Sequence, residues 1–122
     1  MKTTKDHAVG PRLRVYLRPD FAIGPGKADL LEGIRDTGSI AAAGRRMKMS
    51  YKRAWYLVDD MNRHFRSPVV EAAKGGRDGG GATLTPLGEE VLERYRRMLA
   101  LAEEAIEPDV TALRKSVVGN DA

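Results

Sequence analysis

Apolar positions recur with a period of two near the start of the chain and with a helical period after it. In residues 12–18, RLRVYLR, Leu13, Val15 and Leu17 fall on one face, while Arg12, Arg14, Tyr16 and Arg18 fall on the other. That alternation predicts a half-buried strand, ended by Pro19-Asp20. Residues 21–26, FAIGPG, read as a loop with Phe21 and Ile23 packed inward. From Lys27 to Thr37 the apolar stripe of Leu30, Leu31 and Ile34 predicts a first helix, with Gly38 in the left-handed position that closes it.

The stretch from Ser39 to His64 predicts two short helices around a turn at Met47 to Met49. Ser39 and Ser50 suit N-caps, since a serine hydroxyl accepts a backbone N–H left unpaired in a helix's first turn. Small Ala41, Ala42 and Ala43 allow close helix approach. In the second of the pair, Ala54, Leu57, Val58, Met61 and Phe65 recur at i, i+3, i+4, i+7 and i+11 and define one buried face. Tyr51, Lys52, Arg53 and Tyr56 lie mostly off that face, near its N-terminus. This is the arrangement a DNA-binding helix-turn-helix needs, because the second helix enters the major groove N-terminus first. Periodicity alone fits an αα-hairpin in an ordinary core equally well.

Two strand-like runs follow, Val69 to Ala72 and Ala82 to Leu84, joined by the glycine-rich AKGGRDGGG with Lys74 and Arg77. They predict a β-hairpin wing whose loop, residues 73–81, brings Lys74 and Arg77 to phosphates or the minor groove. A nucleotide-cradling loop fits less well, because no Gly-Lys-Ser/Thr ending is present. Thr85-Pro86 starts a long helix, expected to end at Ile106 before Glu107-Pro108-Asp109. It carries two apolar stripes, one of Leu87, Val91, Tyr95, Met98 and Ala102 and one of Leu92, Leu99 and Ile106. One stripe can pack on the domain while the other meets the same helix of a second copy. Leu92, Tyr95, Leu99 and Ile106 are the residues expected at that dimer interface; the alternative buries both stripes in one core. Residues 1–11 are expected to be flexible and 107–122 a tail.

The chain has 122 residues, the size of one domain, and a net charge of +4. Distribution matters more than the total. Residues 1–38 carry 7 basic and 5 acidic side chains, residues 39–77 carry 9 and 3, and residues 78–122 carry 5 and 9. The basic excess sits on the helix pair and the wing, which points to a polyanionic partner. There is no cysteine, hence no disulfide and no thiolate metal site. His7 and His64 are too far apart in sequence to suggest a transition-metal site. No apolar run approaches 18 residues and the N-terminus lacks an apolar signal region, so a cytoplasmic protein without a membrane anchor is expected. No acid–base pair, nucleophile set or metal cluster at a catalytic spacing is visible, so an enzyme is not expected.

The run MSYKRAWYLVDDMN, followed by VVE, GGRDGGGATLT and PLG, resembles the N-terminal DNA-binding domain of the ModE family of molybdate-responsive transcription regulators, a LysR-like winged helix. The likeness covers roughly residues 12–106. It implies a mainly α fold with a small β-hairpin: a winged helix-turn-helix with an N-terminal strand and a long C-terminal dimerisation helix. It further implies a homodimer on double-stranded DNA, paired by the long helix after Thr85 with help from the N-terminal strand, with residues 50–64 as recognition helix and Ser50, Tyr51, Lys52 and Arg53 at its groove-facing start. Ser39, Arg45, Lys48, Ser50, Lys74 and Arg77 are the expected phosphate contacts, and Tyr51, Lys52, Arg53 and Tyr56 the expected base readers. Family members resemble this domain fused to molybdate-binding domains of the Mop type, for which 122 residues leave no room. No cofactor is therefore expected, and a partner protein is one possible source of effector sensing. A molybdate- or oxyanion-binding module and a protein-interaction module remain the alternatives. Trp55, one step off the buried face, is either a packing residue against the wing or a DNA-proximal aromatic.

Overall fold

The computed structural model describes residues 9–73 and 81–119. Its first element is a hairpin of β1 (Val15–Arg18) and β2 (Phe21–Ile23), antiparallel, pairing Val15 with Ile23 and Tyr16 with Ala22. The strand expected over residues 12–18 starts only at Val15, and the segment expected as a loop is partly a strand. Three residues are too few for periodicity to speak, and it is the Pro19-Asp20 turn that folds Phe21 and Ile23 back. The register shifts between Tyr16 and Arg18. A bulge leaves its extra residue unpaired and twists the strand, which accounts for Leu17 being 49% exposed while Leu13 and Val15 pack on the core. The hairpin is held from below. The Phe21 ring stacks on His64 at 4.4 Å and meets Phe65 edge-on at 5.4 Å.

Helix α1 (Pro25–Thr37) begins two residues before its expected start, because Pro25 takes the first helical position, where its missing N–H costs nothing. It ends at Gly38, whose φ of 72° is the left-handed value expected there. Helix α2 (Ile40–Arg46) crosses α1 closely: a Cβ on Gly33 would lie 2.9 Å from that of Ala43. Helix α3 (Tyr51–His64) buries Ala54, Leu57, Val58 and Met61, the face its periodicity defines. Ser39 and Ser50 both act as caps, accepting from Ala42 and Arg53 N–H at 3.0 Å.

Strands β3 (Val70–Ala73) and β4 (Gly81–Leu84) form the wing, in register Val70 with Leu84 and Ala72 with Ala82. The wing is tied to the hinge between α1 and α2, since Ala82 N–H donates to the Gly38 carbonyl at 2.9 Å. The loop between the strands, with Lys74 and Arg77, lies outside the described residues, as does His7.

Helix α4 (Pro86–Arg114) runs 29 residues, about 43 Å at 1.5 Å per residue. It passes through Pro108, so the expected end at Ile106 is corrected, and residues 107–114 are helix rather than tail. An internal proline removes a single backbone rung. The residues on both sides stay helical, and the Thr111 hydroxyl donates to the Glu107 carboxylate across the proline. The dimer assignment also changes. Leu92, Tyr95 and Leu99 are 2%, 1% and 8% exposed inside this chain's own core. Periodicity identifies a stripe without telling which way it points. The contacts of α4 with α1 turn the stripe of Leu92, Tyr95 and Leu99 inward. What α4 leaves exposed is Leu101, Ile106 and Leu113, with Val91 and Met98 half-buried.

Two polar links fasten α4. The Tyr95 hydroxyl donates to the Leu13 carbonyl at 2.6 Å, and burial pushes its pKa above the ordinary phenol value. Arg96 bridges Asp29 at 2.8 Å and Glu32 at 2.7 Å, both on α1. Burial alone would lower the Arg96 pKa; the hydrogen bonds to the two carboxylates outweigh it and hold the guanidinium charged.

Candidate nucleic-acid interface

With one face of α3 buried, helical geometry places Lys52, Tyr56, Asp59 and Arg63 on the opposite face, and all four are exposed. Charge is graded along this face. Lys52 and Arg53 occupy the N-terminal turn, where the helix dipole adds positive potential. The acids lie toward the C-terminus and are matched internally. Asp59 accepts from Arg63 at 2.8 Å, and Asp60 accepts from Lys27 at 2.8 Å and lies 3.3 Å from His64. The hydrogen bond to Asp59, first among its causes, raises the Arg63 pKa. The end that would meet a polyanion first is thus cationic, and the carboxylates behind it have cations of their own.

Sequence-predicted site residues fall into three places. Tyr51, Lys52, Arg53 and Tyr56 are exposed at the N-terminal half of α3, with the Arg53 guanidinium 5.5 Å from the Tyr56 ring centroid. Ser39 and Ser50 spend their oxygens as caps, leaving each hydroxyl proton to donate outward. Arg45 and Lys48 border the turn between the helices, both exposed. Lys48 holds φ at 58°, the only positive-φ residue other than glycine among those described. A left-handed backbone costs a lysine roughly 1–2 kcal/mol, and here it lets Met49 N–H donate to the Gly44 carbonyl at 2.9 Å and start α3 at its sharp angle.

On one flank of α3 a concavity of about 460 Å³ separates it from the wing, lined by Tyr51, Trp55, Asn62, Val70 and Ala82 among others. Trp55 is 45% exposed on its rim, with its indole N–H donated to the Tyr51 hydroxyl. It therefore faces the wing and solvent together. Asn62 closes the far end. Its side-chain oxygen accepts from Val69 and Val70 N–H at 2.8 and 3.3 Å, and its amide donates to the Val70 carbonyl at 3.0 Å. Helix α3 and the wing are thereby locked at one spacing. Asn62 was not singled out from sequence; a helical asparagine beside an apolar face was the only signal. On the other flank lies a cavity of about 550 Å³ that includes Arg12, Arg14 and Arg53. The alternation of residues 12–18 had already put Arg12 and Arg14 on one face, without indicating what they stand beside.

Among the described residues no helix is long and apolar enough to cross a membrane, and no group of three or more His, Asp or Glu side chains could hold a metal ion.

Over 81 residues the chain is 49% identical to the molybdenum-pterin-binding protein MopB of Rhodobacter capsulatus, covering 66% of this chain and 30% of that protein. The transcriptional regulator ModE of Yersinia pestis is 37% identical over 95 residues, covering 78% of this chain and 36% of that one. The DNA-binding transcriptional dual regulator ModE of Escherichia coli K12 is 32% identical over the same length, again covering 78% and 36%. The chain thus spans about a third of the length of these relatives. No protein-family model matches it. Among solved structures, the CbnR DNA-binding domain in complex with DNA superposes with a TM-score of 0.57 at 22% identity, covering 72% of this chain and 95% of that one. Full-length LysG of Corynebacterium glutamicum does so with the same score and identity over 76% of this chain. The fold is that of the LysR-type winged helix-turn-helix.

Proposed function

We propose that this relative of the ModE and Mop proteins is a sequence-specific DNA-binding transcription regulator that works as a homodimer. The observation that carries the reading is the exposed, cationic N-terminal half of α3, capped by Ser50 and carrying Lys52, Arg53 and Tyr56, on a winged helix-turn-helix fold. Lys52 and Tyr56 project from the face opposite the core and are the base readers. Arg53, turned toward the β1–β2 flank, reaches the groove from its edge. Ser39, Arg45, Lys48 and Ser50 supply the phosphate contacts that set the register. Dimerisation uses the C-terminal half of α4, where Ile106 and Leu113, two turns apart, lie exposed on one face, in place of Leu92, Tyr95 and Leu99 assigned from sequence. A two-fold pair of α3 helices reads half-sites about 34 Å apart, or a multiple of it. The reading places the protein in the cytoplasm with the DNA and gives it no catalytic step and no cofactor. Molybdate added to this chain is expected to leave its affinity for DNA unchanged.

Lys52→Ala tests the base-reading role. It is expected to cost about 1–3 kcal/mol on a selected duplex and far less on duplexes of mixed sequence. Arg53→Ala carries the same expectation. Equal losses on both kinds of DNA would show that these cations hold phosphates only.

A further inference from the structure

We infer that the segment entering the β1–β2 hairpin, with Arg12 and Arg14 just ahead of β1, is a second phosphate-binding element, gripping the DNA backbone on the flank of α3 opposite the wing. The inference rests on the DNA-binding reading above and extends it to a surface outside the helix-turn-helix and wing. The cavity between hairpin and α3 holds about 550 Å³, and its lining includes Arg12, Arg14, Tyr16, Asp20, Lys27 and Arg53. Asp20 is the only carboxylate in that lining, and it is engaged by Arg18 at 3.2 Å. Lys27 is committed to Asp60 at 2.8 Å and to the Ala22 carbonyl at 2.7 Å. Among the described residues, neither Arg14 nor Arg53 pairs with a carboxylate: their recorded contacts are the rings of Tyr16 and Tyr56. Arg12 reaches the Gly10 carbonyl at 3.4 Å. The cleft therefore holds two guanidinium groups, those of Arg14 and Arg53, with no carboxylate partner among the described residues, and a guanidinium's planar fork of donors suits a phosphate.

Position makes the partner the same DNA. Arg53 and Met49 belong to the N-terminal end of α3, the end that goes into the groove, and both line this cleft. A duplex engaged by Lys52 and Tyr56 then carries one backbone past Arg12 and Arg14. The segment leading into β1 is also anchored. Leu13 and Val15 pack on the core on either side of Arg14, the Leu13 carbonyl accepts from Tyr95, and Phe21 is stacked on His64. Arg12 and Arg14 thus start from a fixed backbone, and holding a phosphate costs them little ordering of the chain.

The test titrates salt against binding of a labelled mixed-sequence 30-bp duplex by the wild type, Arg14→Ala, Arg12→Ala/Arg14→Ala, and Arg12→Lys/Arg14→Lys. Each phosphate contact contributes a slope of about −0.9 in log K against log salt. Arg14→Ala is expected to flatten the slope by about 0.9 and the double alanine variant by at least as much, with the lysine pair restoring most of it. Hydroxyl-radical footprints should lose protection on the backbone at the edge of the site, away from the wing. Circular dichroism confirms that each variant is folded. Unchanged slope and footprint, with Lys52→Ala still impaired, would overturn the hairpin's role and leave the DNA reading intact. Weaker binding at unchanged slope would also overturn it, since the hairpin would then act through the fold. If the wild type bound no duplex at any salt, the function proposed above would fail and this inference with it.

Discussion

Arg96→Ala is expected to destabilise the protein by about 3–5 kcal/mol, the cost of leaving a buried charge without its partner. The Asp29 side chain is 3% exposed and that of Glu32 is 12% exposed, and both are held by one guanidinium reaching across from α4. Removing the arginine takes away the cation that two neighbouring carboxylates on α1 share. The loss should appear in urea unfolding as a lower midpoint, and in heating as a melting temperature reduced by roughly 10–20 °C. The triad is not required for stability as such. A buried ion set replaced as a whole by apolar residues of similar volume is often neutral or better, so Arg96→Met with Asp29→Leu and Glu32→Leu is expected to recover much of the loss. The Arg96 Nε is buried without a partner, which makes the triad an imperfect one and the recovery easier. A loss under about 1 kcal/mol for Arg96→Ala would mean that apolar packing alone joins α1 to α4.

Gly88→Ala is expected to cost about 3 kcal/mol, at the upper end of the usual range for overpacking. A Cβ at that position would lie 2.1 Å from the Val69 carbonyl oxygen and 3.0 Å from its carbon, and these are backbone atoms that cannot swing aside. The contact is close because three hydrogen bonds draw the chains together. Thr85 N–H donates to the Val69 carbonyl at 3.0 Å, the Thr85 hydroxyl donates to the Pro68 carbonyl at 2.7 Å, and Gly88 N–H donates to the Thr85 oxygen at 3.0 Å. Making room would push α4 from the strand that Asn62 ties to the recognition helix, so DNA affinity should fall together with stability. Gly26→Ala is the control. Nothing lies within 4 Å of its Cβ position, so its effect is expected to stay within about 1 kcal/mol. Equal effects at the two positions would show that the approach of α4 to Val69 is looser than its geometry implies.

These two sites show where reading the sequence ran out. Local signals were legible. Ser39, Ser50 and Thr85 each accept the N–H that a cap should, all at 3.0 Å, because capping is decided within four residues. The buried face of α3 was legible for the same reason, as its period spans one helix. Gly88 belonged to a recognisable Pro-Leu-Gly run, yet the reason for it, a carbonyl 19 positions earlier, exists only in three dimensions. The triad of Arg96, Asp29 and Glu32 is a non-local arrangement of the same kind, with sequence separations of 67 and 64. Pro108 was misread because a proline usually marks a helix end, whereas in α4 it costs one rung of a long helix. Leu92, Tyr95 and Leu99 were assigned outward because a stripe has a period but no direction until α1 is packed against it. Arg12 and Arg14 were visible as one face of a strand, but their nearness to Arg53, about 40 residues on, depends on Phe21 folding back onto His64.

The central claim is that this fold reads a DNA sequence through α3. The most direct measurement titrates the protein into a pool of short random duplexes, with and without molybdate, and sequences what is retained at two salt concentrations. The account predicts enrichment of a palindrome with half-sites about one helical turn apart, insensitive to molybdate and lost with Lys52→Ala. Retention of no duplex at either salt concentration would contradict it.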